Sequence, residues 1–276
     1  MSKRVSLNSL NLTPITSPQN QILKLIRNLH TQIGRQKHNL FLLEGVNCVN
    51  EALSQDYKLE SIIVSQSYFK DWPDKAIVNL SNVCLVEDKI FASLTTTVNE
   101  CGIIAVAHKF NTTLAECLLN LSKGPLLILD SVQDPGNLGN LIRTSNGFDV
   151  SGIVLLKGCV DIYNPKVVRA STGNIFKVPF VCNVECNYLI DYLKQHNISI
   201  CVLDAKAGLS IYDTNVNLNR AVVLGNEGHG VNADLLAMAN EIIKIPTNPS
   251  LESLNVTISA AIVLNHWWSV KNGFRK

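Results

Sequence analysis

The chain has 276 residues, 46% of them hydrophobic and 17% charged, enough apolar mass for one large domain or two ordinary ones and too much for a disordered polymer. Its formal net charge of +2 excludes a uniformly basic surface, and its eight cysteines, with no CxxC pair and no histidine at ligand spacing, exclude a zinc module. No stretch approaches the ~18 consecutive apolar residues of a membrane span, so neither a metal nor a membrane is an expected partner.

The basic excess sits at the front. Between Met1 and Asn50 stand Lys3, Arg4, Lys24, Arg27, Arg35 and Lys37 against the single acid Glu44. The N-terminus lacks the apolar block of a secretory signal, and free thiols in apolar runs such as NVCLVE (82–87) and SICVLD (199–204) suit a reducing compartment. The expected location is the cytoplasm, with an organellar transit peptide as a second reading because no acid precedes Glu44. Pro18 opens a helical pattern in which Ile22, Leu25, Ile26, Leu29 and Ile33 recur at 3.6-residue spacing, while Lys24, Arg27, Arg35 and Lys37 mostly avoid that stripe. Such a face is either ordinary solvated surface or a polyanion contact. Strand-like runs follow at 41–45, 61–65, 83–87 and 102–108, which predicts a compact α/β domain. A polar break at Asn111, Thr112 and Thr113 places the expected boundary between a domain 1–112 and a domain 113–276.

In the second domain the runs PLLILD (125–130), GIVLL (152–156), ISICVLDA (198–205), RAVVLGNE (220–227) and EIIKIP (241–246) alternate with helical stretches, the last being SLNVTISAAIVLNHWW. Continuous Val, Ile and Leu strands separated by helices predict a parallel sheet covered on both faces. Trp267 and Trp268, near the end of the last helix, read either as buried aromatics or as a dimer interface.

Ligands of such sheets bind beyond the carboxyl ends of the strands, where three polar clusters stand: DPGNLGNLIRTSNGF (134–148), LGNEGHG (224–230) and IPTNPSLESLNVT (245–257). Singly, each could be an ordinary turn, since Gly and Asn favour left-handed backbone with or without a ligand. Three at strand ends in one domain favour a site. Neither the GxGxxG dinucleotide fingerprint nor the GxxxxGK phosphate loop is present. Asp134 and Pro135 would put a negative charge and a missing N–H beside any phosphate, which argues against a nucleotide-dependent dehydrogenase or NTPase.

These residues resemble the SpoU (TrmH) family of RNA ribose 2′-O-methyltransferases. The family's first motif is matched by Asn137, Gly139, Arg143 and Thr144, and its GNEGxG motif by Gly225, Asn226, Glu227, Gly228 and Gly230. The third is matched by Ile245, Pro246, Glu252, Ser253, Leu254, Asn255 and Val256, with Thr257 in the last place and TNPS (247–250) departing from the usual Met and Gly. A connecting signature matches YNPKVVRASTGNIFKVPF (163–180). The N-terminal part, with Arg35 and then FLLEG, is more loosely similar to the family's accessory RNA-binding domain.

The resemblance implies a C-terminal parallel-sheet α/β domain tied in a deep trefoil knot, a smaller N-terminal α/β substrate-binding domain, and a homodimer. It implies S-adenosylmethionine as cofactor, held by Leu224, Gly225, Asn226, Gly228, Ile245 and Leu254, and no metal. The implied reaction is methylation of a ribose 2′-hydroxyl in structured RNA, with a large-subunit ribosomal guanosine expected; transfer RNA and a noncatalytic ribosome-assembly role are the alternatives. Arg143 is the implied activating group, held by Glu227 and Asn255, with Asn137 and Ser253 orienting neighbours and Gly136 and Gly139 forming the turn that aims them. A guanidinium resists deprotonation, so Arg143 either stabilises the alkoxide while Glu227 or water takes the proton, or acts as the base itself. His229 reads as a bystander. Arg35, Lys37, Lys166 and Arg169 are candidate RNA contacts, and the last two could equally face solvent.

Overall fold

The computed structural model describes residues 12–71, 82–95, 102–215, 219–226 and 228–274, and the chain divides into two compact units. The first comprises the chain up to Phe110 together with Tyr163–Arg169. Its helix α1 (Gln21–Leu29) starts where the Asn20 side chain accepts the Ile22 N–H, and it buries Leu23, Ile26 and Leu29. The expected stripe is thereby corrected. Ile33 is 78% exposed, because the Thr31 side chain caps a separate helix, α2 (Gln32–His38), and a new cap resets the helical phase.

Five strands, β1 (Leu12–Ile15), β2 (Leu40–Glu44), β3 (Leu59–Ser65), β4 (Val83–Val86) and β5 (Ile103–His108), form a sheet in the order β1-β4-β3-β5-β2. It is mixed: β4 runs parallel to β1 and β3, whereas β5 runs antiparallel to β2 and β3. Helices α3 (Val46–Ser54), α4 (Gln66–Asp71) and α5 (Asp88–Ala92) fill the connections. Tyr163 enters this unit beside Phe41, ring centroids 4.9 Å apart, and its hydroxyl accepts the Phe110 N–H at 2.9 Å.

Beyond Phe110 the chain forms α6 (Leu114–Leu118), β6 (Leu126–Leu129), α7 (Pro135–Gly147), β7 (Gly152–Leu156), α8 (Pro165–Ala170), β8 (Phe180–Val184) and α9 (Cys186–Gln195). They are followed by β9 (Ser199–Leu203), β10 (Leu209–Ser210), β11 (Arg220–Leu224), α10 (Ala233–Ala237), β12 (Glu241–Lys244) and α11 (Val256–Lys271). Most of α8 groups with the first unit. The seven strands are all parallel, in the order β10-β12-β9-β11-β6-β7-β8. The five expected strands are present, and β8 and β10 extend the sheet at its two edges.

Central strands are apolar on both faces because helices cover both. Leu126, Ile128, Ile200, Val202, Ala221 and Val223 pack with Leu189 and Leu193 of α9 and Leu235 of α10; each such buried Leu, Ile or Val side chain contributes about 1.5–3 kcal/mol. Elsewhere in the second unit α11 packs on α7. Arg220 at the start of β11 lies 4.9 Å over the Trp267 ring and 3.2 Å from the Glu241 carboxylate. Trp267 is 3% exposed, in keeping with its reading as a buried aromatic, and the Trp268 indole N–H donates to Asp149.

Candidate functional site

The first polar cluster is helix rather than turn. Asp134 accepts the Asn137 N–H at 2.7 Å as the cap of α7, and Pro135 occupies the first helical position, where a missing N–H costs nothing. Gly136 and Gly139 therefore lie inside α7, which corrects the glycine-rich turn expected there. Two turns further on, Arg143 is exposed and makes no hydrogen bond or ion pair with another described residue. It is not held by Asn255, as had been expected.

Asn255 instead caps α11, its Oδ1 accepting the Thr257 N–H at 2.9 Å. Its Nδ2 donates to Asn137 Oδ1 at 3.1 Å, and the Thr257 hydroxyl reaches Asn137 Oδ1 and carbonyl oxygen at 3.4 Å. The starts of α7 and α11 thus stand side by side, and the first and third motifs meet through two asparagines 118 residues apart. The partial positive charge of both helix starts is directed at this spot.

The second cluster forms a closed loop after β11. Asn226 and Gly230 exchange backbone hydrogen bonds at 3.0 and 2.9 Å. Asn226 Oδ1 also accepts the Gly228 and His229 N–H groups, while its Nδ2 donates to the Ser131 carbonyl at 2.9 Å. A β-carbon at Gly225 would lie 2.3 Å from the Gly230 carbonyl oxygen, so close approach of two backbone segments requires glycine there. Glu227 lies outside the described residues.

A cavity of 360 Å³ opens at the carboxyl ends of β9, β11 and β12. All six candidate cofactor residues line it: Leu224, Gly225, Asn226 and Gly228 from the β11 side, Ile245 and Leu254 from the third motif. Ser253 lines it as well. Missed in the sequence were the residues at and just after the end of β9, where Leu203 and Ala205 supply an apolar wall together with the charged Asp204 and Lys206. Their signal was a polar DAKAG stretch directly after a strand, the same placement that singled out the other clusters. His229 lines the cavity through an exposed position. Among the described residues no group of three or more His, Cys, Asp or Glu is placed to hold a metal.

The RNA-contact candidates separate into two pairs. Lys37 and Lys166 are exposed. Arg35 is 2% exposed and donates to the Leu29 and His30 carbonyls at 2.9 and 3.0 Å, so it joins α1 to α2 from inside instead of presenting a charge to solvent. Arg169 donates to the Glu44 carboxylate at 2.6 Å, and that carboxylate is 1% exposed; its charge is already paired. Behind the β6 end, burial pushes the Cys159 thiol up to about 11.

A parallel sheet with a ligand-sized cavity at its carboxyl ends, walled by the segments that follow β9, β11 and β12, defines an α/β protein built around a small-molecule cofactor. The family model described as SpoU rRNA methylase matches residues 124–265, and that of an MRM3-like substrate binding domain matches residues 20–105. A Bacillus subtilis protein, 23S rRNA (guanosine(2553)-2′-O)-methyltransferase RlmP, is 33% identical over 252 residues, covering 91% of this chain and 98% of that one. Human mitochondrial rRNA methyltransferase 3 is 29% identical, covering 83% of this chain and 67% of its own. A crystal structure of an RNA 2′-O ribose methyltransferase superposes with a TM-score of 0.77 at 26% identity, covering 95% of this chain and all of that one. The AdoMet-bound rRNA methyltransferase of Sinorhizobium meliloti shares the fold, with a TM-score of 0.81 at 23% identity, covering 95% of this chain and 98% of its own. This chain belongs to the SpoU rRNA methylase family.

Proposed function

We propose that the chain is an S-adenosylmethionine-dependent RNA methyltransferase acting on a ribose 2′-hydroxyl, with a guanosine of large-subunit ribosomal RNA as its target. The observation that carries this reading is the convergence of the second and third motifs on one cavity of 360 Å³, a size within the roughly 300–1,000 Å³ of small-molecule sites. The lining suits the cofactor. Leu203, Leu224, Ile245 and Leu254 form an apolar wall for a purine, and Asp204, Lys206 and Glu252 offer both charges to an amino-acid tail. The bound cofactor would supply an electrophilic methyl group.

The chain's own residues do the rest. Asn137 and Asn255, locked to each other, fix the starts of α7 and α11 next to the methyl-bearing cavity. Arg143, exposed and without a hydrogen-bond or ion-pair partner among the described residues, is available to substrate and stabilises the developing alkoxide or its adjacent phosphate while remaining protonated. The hydroxyl proton passes to Glu227 or to water. Ser253 orients the loop ahead of Asn255. In the same reading residues 1–112 select the RNA, residues 113–276 form a trefoil-knotted catalytic domain, Lys37 of the one and Lys166 of the other face RNA phosphates, and the enzyme works as a cytoplasmic homodimer.

Mapping 2′-O-methyl positions in total RNA from wild-type, deletion and Arg143→Lys cells tests this directly. One large-subunit ribosomal guanosine is expected to lose its methyl group in the deletion strain and to stay unmethylated with Arg143→Lys. A lost methyl group in transfer RNA alone would move the target, and cofactor binding without any lost methylation would favour an assembly role.

A further inference from the structure

Asp130, at the end of β6, is only 7% exposed and neither lines the cavity nor belongs to the motifs already discussed. Its backbone N–H donates to the carbonyl of Leu224, the last residue of β11, at 2.9 Å. Its carboxylate is divided between two donors. Oδ1 accepts the Ser131 hydroxyl at 3.0 Å, and Oδ2 accepts the Asn232 N–H at 2.6 Å, across 102 residues of sequence. Ser131 in turn has a left-handed backbone, φ 56°, and offers its carbonyl to Asn226 Nδ2.

The described residues of the β11–α10 connection, Gly225, Asn226 and Gly228 to Val231, form one wall of the cavity and are consequently clamped at both ends by two adjacent residues. Ser131 holds it where it leaves β11, and Asp130 holds it where it enters α10. A carboxylate is suited to this place because it alone can accept from a hydroxyl and an amide at once without bringing a donor of its own. Bonds from ionised acceptors are also shorter and stronger than neutral ones. We propose that Asp130 is a positioning residue for cofactor binding, acting through the loop 225–231 and not by touching the cofactor.

Resting as it does on the cofactor reading of the cavity, this role is tested by Asp130→Asn, which keeps the side-chain shape but turns one acceptor oxygen into an amide that faces a donor. Calorimetry with S-adenosylhomocysteine is expected to give binding weakened about tenfold or more, the loss associated with one unpaired buried group. Amide exchange at Gly228 and His229 should accelerate while that of β6 and β11 stays slow. Leu189→Ala, a core truncation on α9, is the control for general destabilisation, expected to lower the unfolding midpoint with affinity kept within about twofold of wild type. Should Asp130→Asn misfold, Asn232→Pro removes the same N–H at a backbone φ of −49° that proline tolerates, and it is expected to weaken binding beyond Asn232→Ala, which keeps that N–H and loses only the side-chain cap on the Asp234 N–H. Unchanged affinity in both variants, or equal weakening by Leu189→Ala, overturns the role of Asp130. Absence of binding by the wild-type chain would instead overturn the cofactor reading itself.

Discussion

A methyl group added at Gly225 would sit 2.3 Å from the Gly230 carbonyl oxygen, 2.4 Å from its carbon and 2.7 Å from the Val231 side chain. Two of these are backbone atoms and cannot rotate away, so Gly225→Ala must spread the loop. Spreading breaks the pair of backbone hydrogen bonds between Asn226 and Gly230, at about 1 kcal/mol each, and adds overpacking of roughly 1–3 kcal/mol. If most of that cost falls on the binding-competent shape of the loop, affinity for S-adenosylhomocysteine drops about a hundredfold. Gly147→Ala is the control, because a β-carbon there meets nothing within 4 Å and Gly147 does not line the cavity, and its affinity should stay within about threefold. Calorimetry on both variants, each checked for a native unfolding midpoint, provides the comparison. Equal affinity of Gly225→Ala and wild type, or equal weakening by both variants, would refute the steric reasoning.

Asn255→Ala removes the α11 cap, a loss of about 1 kcal/mol in urea unfolding, and releases Asn137; methyl transfer at saturating cofactor should fall by far more than that stability loss accounts for. Arg169→Ala leaves the Glu44 carboxylate, 1% exposed, with only the His30 ring at 3.9 Å, and should cost up to about 3–5 kcal/mol in the first unit, with Glu44→Gln added to the same chain recovering part of it in a thermal melt. Burial pushes the Cys117 and Cys201 thiols from 9.0 up to about 12. The folded chain then holds those protons more tightly than the unfolded one, so stability should decline as pH rises from 9 toward 12, and both thiols should resist iodoacetamide at neutral pH until the chain unfolds.

Continuous apolar strands were legible because burial on both faces leaves no alternation to interpret, and PLLIL, GIVLL and AVVL all became central strands. The edge strand β8 was not, since FVCNV mixes buried and exposed positions and resembles a loop. The cofactor wall was legible in its second and third motifs, where Gly and Asn concentrate, but Leu203 to Lys206 carry no such density. Charged residues were the hardest. Arg35 and Arg169 look like surface in any linear reading, because their partners are main-chain carbonyls and a carboxylate 125 positions away. Asp130 was hidden similarly, as a polar full stop to an apolar strand whose function lies 102 positions downstream.

The hydrogen bond between Asn137 and Asn255 also bears on synthesis. Every strand of the second sheet lies before residue 245, so a growing chain can emerge with its whole sheet sequence in hand while Asn255 and α11 are still absent. Asn137 then has no Asn255 to hold it, and α7 lacks the packing of α11. The junction of the first and third motifs is therefore completed only after the sheet, when α11 follows it, and a chain that has acquired the sheet alone still lacks that junction.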